Sequence, residues 1–328
     1  MIFFFNVPVL AAALMVLDIA PVPALAANEG LAWKQEGGSV ALLQEARVVW
    51  QFNYEPSASK PFFHPVALPG GPVLTWNHTP DHPWHHGLWF SWKFINGVNY
   101  WEEDRRTGLA QGRTDWREPQ IETRPDFSAQ IVMEINYHPA TNSQSVLTEH
   151  RVIEVSPPDN NGTYRQDWTM IFTAGNEDVR LDRTPLPGEP GGQPYGGYAG
   201  LSVRLAPGIT NVQTITTTAI EPVKFTDIYY RGTAAAMDYT GLFEGREAGF
   251  AILDCSSNLN SPSPWYAING NLMHNPMHYF SPAVISHHPH SIKAGGRLIL
   301  RYRVIVHPGR WSAAQLRQAS EQYSTIKQ

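Results

Sequence analysis

Cys255 is the only cysteine in the 328-residue chain, so no intrachain disulfide can form and stability has to come from a packed core. Charge is also sparse. Asp, Glu, Lys and Arg make up 16% of residues, the formal net charge is −5, and no basic block occurs, which argues against a nucleic-acid partner. The chain lacks G-x-S-x-G, P-loop, dinucleotide-glycine and HExxH patterns. Their absence disfavours nucleophilic-serine chemistry, nucleotide chemistry and that zinc signature. No convincing internal repeat or interdomain linker is found. After the N-terminus, no segment approaches the roughly 18 apolar residues that a membrane span needs.

The chain opens MIFFFNVPVLAAALMVLDIAPVPALAANEG. An apolar run ending in Ala24-Leu25-Ala26 has the form of a signal-peptidase site, which predicts a signal peptide over 1–26. A retained anchor competes with this reading, because no Lys or Arg precedes the run and Asp18 interrupts its end. Residues 27–328 then form one exported domain, periplasmic or extracellular, with no membrane span after cleavage.

Proline, glycine and aromatic residues are abundant: 27 Pro, 26 Gly and 12% Phe, Trp and Tyr. This balance suits short strands and tight turns better than helices. Ile131, Met133, Ile135 and Tyr137 alternate with more polar neighbours, as do Tyr164, Gln166, Trp168, Met170 and Phe172, the period of half-buried antiparallel strands. Turns are expected at Gly37-Gly38, Asn96-Gly97, Pro157–Gly162, Met237–Gly241 with Gly245, and Ala294–Gly296. A strand is read over 223–230, and 258–290 reads as loop-rich. The prolines of 60–65 are expected to keep that segment out of a central strand. Ser312 with Gln315 resembles a capping box, opening a short C-terminal helix that carries Leu316, Ala319, Tyr323 and Ile326.

The densest chemistry lies in 77–101, NHTPDHPWHHGLWFSWKFINGVNYW. Four of the 13 histidines, His78, His82, His85 and His86, fall within nine positions, with Asp81 among them. Pro80, Pro83 and Gly87 make this a shaped loop, and Leu88–Trp92 an aromatic strand. Imidazoles titrate near neutrality and move protons, and indoles stack on the C–H faces of sugars. His85 is the leading acid/base candidate, with His64 as its partner and His86 beside it. Asp81, Trp89, Trp101, Glu102, Asp254, Asn258 and Trp265 are candidates for binding substrate, Trp265 as a stacking platform in a loop. The same atoms offer a rival use: His82, His85 and His278 could ligate a divalent Zn²⁺ or Mn²⁺, although no cofactor is required by the sequence. A third reading leaves the histidines satisfied by loop carbonyls. The loop 184–198, with four Pro and five Gly, is either a binding loop carrying Tyr195 and Tyr198 or plain surface.

KPFFHPV (60–66), PDHPWHHGLWF (80–90), NGVNYWEE (96–103), MDYTG (237–241), GFAILD (249–254), SPWY (263–266) and AGGRLILRYRVIVHPG (294–309) together resemble the large bacterial family of unknown function that carries the inherited label "methane oxygenase PmoA". The resemblance covers nearly the whole mature chain. Oxygenase activity is not expected, since a true particulate methane oxygenase subunit is an integral membrane protein. His64, Asp81, His82, His85, Trp89, Asp254, Asn258 and Trp265 keep the family pattern. Trp84 and His86 stand where many members have His and Arg, and Cys255 and Tyr266 where many have His. The layout also looks like the galactose-mutarotase type of β-supersandwich, whose enzymes act on sugars through His and carboxylate acid–base chemistry. The resemblance thus implies an all-β antiparallel sandwich. It also implies a sugar or oligosaccharide ligand and a lyase, epimerase or hydrolase; a non-catalytic carbohydrate-binding module and a metal-dependent enzyme are the alternatives.

Overall fold

A computed structural model describes residues 30–325 and, outside that span, only Met1. The expected signal segment and Ile326 therefore lie outside the described residues, Met1 apart. Two nine-stranded antiparallel sheets and a small four-stranded one make up the body. The first large sheet runs, in spatial order, Leu31–Glu36, Ser39–Gln44, Arg47–Asn53, Phe62–Val66, Leu88–Ser91, Gly200–Arg204, Asn275–Pro282, Pro264–Leu272 and Tyr229–Thr233. The second is built on the long strands Ala129–Pro139, Leu147–Val155, Tyr164–Ala174, Arg297–Pro308, Arg246–Asp254 and Ala236–Phe243. The described residues thus form an all-β sandwich with one short C-terminal helix.

Alternation explains the layers. Leu300, Tyr302, Val304 and Val306 lie in the same core cluster as Trp168, Met170 and Phe172, and meet Trp50, Phe63, Leu88 and Phe90 from the first sheet. Intervening residues of the first sheet, among them Phe62, Trp89, Tyr266, Ile268, Met277 and Tyr279, form a separate aromatic cluster, because neighbouring side chains of a strand point to opposite faces. Helix Ala313–Thr325 covers the outer face of the second sheet with Leu316 and Tyr323 against Ile215, Leu253 and Ile305. Ser312 and Gln315 form the reciprocal cap at its start.

Several expectations are corrected. Phe62–Val66 is an interior strand. It tolerates Pro65 because its pairing with Arg47–Asn53 shifts register between Trp50 and Phe52, an irregularity that spares a ladder hydrogen bond. Met237–Gly241 is strand, with Asp238 satisfied by His307 and Thr240, and the turn falls at Glu244-Gly245, where φ is positive. The strand expected over 223–230 forms instead at Tyr229–Thr233. The loop-rich 258–290 contains the paired strands Pro264–Leu272 and Asn275–Pro282, hinged at Met273-His274. The Asn96-Gly97 hairpin forms as read and carries the chain to Trp101–Glu103.

Candidate active site

The histidine loop folds back over the outer face of the first sheet and is braced by its own backbone. The His78 amide donates to the His85 carbonyl and the His85 amide to that of His82, each at 2.9 Å, while Thr79 Oγ1 bonds both the amide and the carbonyl of His82. Gly87 leaves the loop at φ +81, and a Cβ there would sit 2.6 Å from the Phe63 carbonyl. Gly87→Ala is expected to cost about 1–3 kcal/mol through backbone strain, measured as a lowered urea midpoint; an unchanged midpoint would show that the loop yields freely.

Beneath the loop lies a buried ion pair that sequence reasoning missed. One guanidinium nitrogen of Arg204 donates to both carboxylate oxygens of Asp81, at 3.1 and 3.0 Å, and to the Pro276 carbonyl at 2.7 Å. Both side chains are fully buried. Burial opposes ionisation of Asp81, but hydrogen bonds from His82 and Thr79 and the Arg204 charge hold its carboxyl well below the usual range.

This pair sets the hydrogen-bonding roles of two stacked imidazoles. His82 and His85 lie ring on ring, 4.7 Å between centroids and 26° apart, and His85 stacks in turn on Tyr279 at 5.5 Å. An ionised carboxylate only accepts and a guanidinium only donates. His82 Nδ1–H therefore donates to Asp81 at 2.8 Å, and in the neutral ring this leaves the lone pair on Nε2. Arg204 donates to His85 Nδ1 over a long 3.4 Å, so the neutral His85 ring carries its hydrogen on Nε2. Burial, then the neighbouring His82 and Arg204, push the His85 pKa far down and keep it neutral.

Both rings line a cavity of about 290 Å³, closed by Trp84, Trp101, Tyr198, Tyr266 and Tyr279 with the exposed Tyr195 at its edge. Glu102 is on the same wall. Its carboxylate accepts from Asn99 and from the Tyr198 hydroxyl, each at 2.7 Å, and from Lys93. Those partners outweigh burial and lower its pKa. The loop 184–198 thus supplies two tyrosines to the cavity.

Other expected residues sit elsewhere. His64 bonds Thr75 at 2.9 Å and does not line the His85 cavity. His86 faces the other side of the loop, with Nε2 2.8 Å from Glu103, and burial brings its pKa to about 4. Trp89 is wholly buried under His85, 5.0 Å between centroids, so it supports the site. Trp265 is strand and inter-sheet core, its Nε1–H donating to the Ala234 carbonyl, so it is no stacking platform. Asp254 and Asn258 bond each other at 2.7 Å and tie their loop to Ser263 and the Arg301 backbone. The ligand trio does not assemble. His82 and His85 stack face to face, His278 bonds Tyr239 and Asn269, and among the described residues no group of three His, Cys, Asp or Glu is placed to hold a metal ion. No helix among them is long and apolar enough to cross a membrane.

Comparison with known proteins adds the family. The model of a family of unknown function, DUF6807, matches residues 39–321. The chain belongs to this family. No curated protein matches the sequence. Among solved structures, a protein assigned as an aldose 1-epimerase from Klebsiella pneumoniae superposes with a TM-score of 0.46 at 6% identity, covering 90% of this chain and 87% of its own. The galactosidase domain of an α-galactosidase–sucrose kinase gives 0.41 at 8%, covering 86% and 41%. A doubly substituted α-galactosidase of Geobacillus stearothermophilus, in complex with raffinose, gives 0.41 at 8%, covering 85% and 41%. The DUF6807 chain is thus placed by its family, and its chemistry has to be read from its own residues.

Proposed function

We propose that this DUF6807 protein is a carbohydrate-active enzyme that moves a proton on a sugar held in the 290 Å³ cavity. One observation carries the reading: a buried ion pair touches two stacked imidazoles on an aromatic wall, Asp81 at His82 Nδ1 and Arg204 at His85 Nδ1, contacts that favour opposite tautomers of the neutral rings. His82 Nε2 is the base, oriented by Asp81, which also stabilises the imidazolium that forms. His85 Nε2–H is a fixed donor for the oxygen that gains negative charge, a role open to a neutral ring whose Nδ1 accepts from Arg204. The base is thus His82 and not His85, the leading candidate from the sequence. Trp84, Trp101 and the tyrosines take the C–H faces of the sugar ring, and the volume, near the lower bound for ligand pockets, fits about one ring.

The shared first step of an epimerase and a lyase, removal of a proton from carbon beside a carbonyl or carboxyl group, matches this pair. Glycoside hydrolysis uses two facing carboxylates, and Glu102 is the one carboxylate among the residues lining the cavity. The test is deuterium exchange from solvent into a panel of aldoses, ketoses and uronates. Exchange into at least one class is expected. His82→Gln should slow it by about 10²–10⁴-fold, and His85→Leu by about 10²–10³-fold, with His85→Gln, which keeps an N–H, less affected. Sugar binding without any exchange would favour a non-catalytic binding protein, and full exchange by His82→Gln would remove the base.

A further inference from the structure

The histidine loop has a second side. Its residues, with those of 102–103, divide between two cavities: His82, Trp84, His85 and Glu102 line the first, while His78, Pro83, His86 and Glu103 line another of about 600 Å³. Adjacent residues, 85 with 86 and 102 with 103, thus serve opposite sides of one ridge. Arg105 pins that ridge by donating to the Pro80 and Asp81 carbonyls at 3.1 and 2.9 Å, and its guanidinium lies over Trp84 at 5.7 Å.

Glu103 lines the second cavity from a buried position. It is 6% exposed, and Ser59, Lys60 and His86 all direct their donors at its Oε1. Burial raises its pKa, but Lys60 and His86 bring it down to about 2, so the carboxylate is charged, and Oε2, which accepts no hydrogen bond from the described residues, can accept from a ligand. Phe62 offers a ring in the same cavity, 4.9 Å from that of His86. Glu55, Ser57 and Ser59 complete a wall of carboxylates and hydroxyls. Arg105 also lines this cavity, but the carboxylates of Glu55, Glu103 and Asp104 outnumber it, so the wall receives hydroxyl donors and disfavours anions, which selects an uncharged polyhydroxylated unit over a phosphate or uronate.

We infer that this cavity is a second saccharide subsite, and that the ligand is an oligosaccharide lying across the Pro83–Trp84 ridge with an uncharged sugar unit against Glu103. The inference rests on the sugar reading of the first cavity and extends it from one ring to at least two.

The experiment compares kcat/KM, and calorimetric Kd, for mono-, di- and trisaccharides of whichever sugar class exchanges in the assay above, using the whole chain. A disaccharide should exceed its monosaccharide by about 10-fold or more, the worth of one or two added hydrogen bonds. Ser57→Trp, which fills the cavity from an exposed position, should collapse that ratio to about 1. Glu103→Gln should reduce it in the same direction, and a thermal melt separates this effect from unfolding. Equal kcat/KM for all chain lengths, or a ratio that survives Ser57→Trp, overturns the subsite while leaving the first cavity's role intact. No binding or exchange with any sugar overturns both.

Discussion

Between pH 6.5 and 4 the protein is expected to lose most of its stability. His64, His86 and His278 have pKa values lowered to about 4, in each case mainly by burial, and burial pushes that of His85 well below its ordinary value too. A histidine whose folded pKa lies below its unfolded value of 6.5 binds fewer protons when folded. Its contribution is complete above pH 6.5 and is lost as pH falls toward the folded pKa, because the unfolded chain takes up protons first. Each of the three groups near 4 accounts for about 3 kcal/mol over that interval. Three such losses rival the whole stability of a domain, typically about 5–15 kcal/mol, so acid unfolding should set in above pH 4. His138, raised because bonds to Asp115 and two backbone carbonyls outweigh burial, acts in the opposite sense but is a single group. Urea titrations from pH 8 to 4 give the slope, expected to approach about 1.4 kcal/mol per pH unit for each histidine taking part. His86→Gln should flatten it by one proton. A stability profile level through this window would show that the buried imidazoles are not neutral.

Arg204→Met should be the most damaging single replacement near the site. It leaves the Asp81 carboxylate wholly buried without its cation, a loss of about 3–5 kcal/mol for a broken buried pair, or about 10 °C in Tm for a domain of this size. It also removes the donor that fixes the His85 tautomer, so exchange should fall with stability. Asp81→Asn combined with Arg204→Met should recover part of the stability, since no charge is then stranded, yet remain inactive because His82 loses its orienting carboxylate. Were the single variant within about 1 kcal/mol of the parent, or the double variant no more stable than the single, the pair would not be the element that organises the site.

Much of the fold was legible because alternation is a local signal. Ala129–Pro139 and Tyr164–Ala174 show the burial period that their sequences predict, and Asn96-Gly97 marks a real hairpin. Turn-like composition misled where tertiary partners satisfied it: Asp238 and Thr240 read as a turn, but His307 accommodates them inside a strand. The histidine loop was legible as a cluster, but its division of labour was not. Arg204 lies 123 residues from Asp81, within the apolar strand GLSVR, and only sheet pairing brings the two together. Asp254, Asn258 and Trp265 carry the residue types of a site, yet they stabilise a loop and the core.

The walls of the 290 Å³ cavity come from 82–85, 101–102, 195–198 and 266–279, and the guanidinium behind them comes from a strand between the third and fourth of these. A loop graft carrying only 77–103 onto a foreign scaffold would bring the imidazoles and indoles but leave the arginine and all four phenols behind. Laboratory transfer of this chemistry therefore has to move the entire sheet, and a chimera swapped at a boundary inside 77–279 should be inert even if well folded.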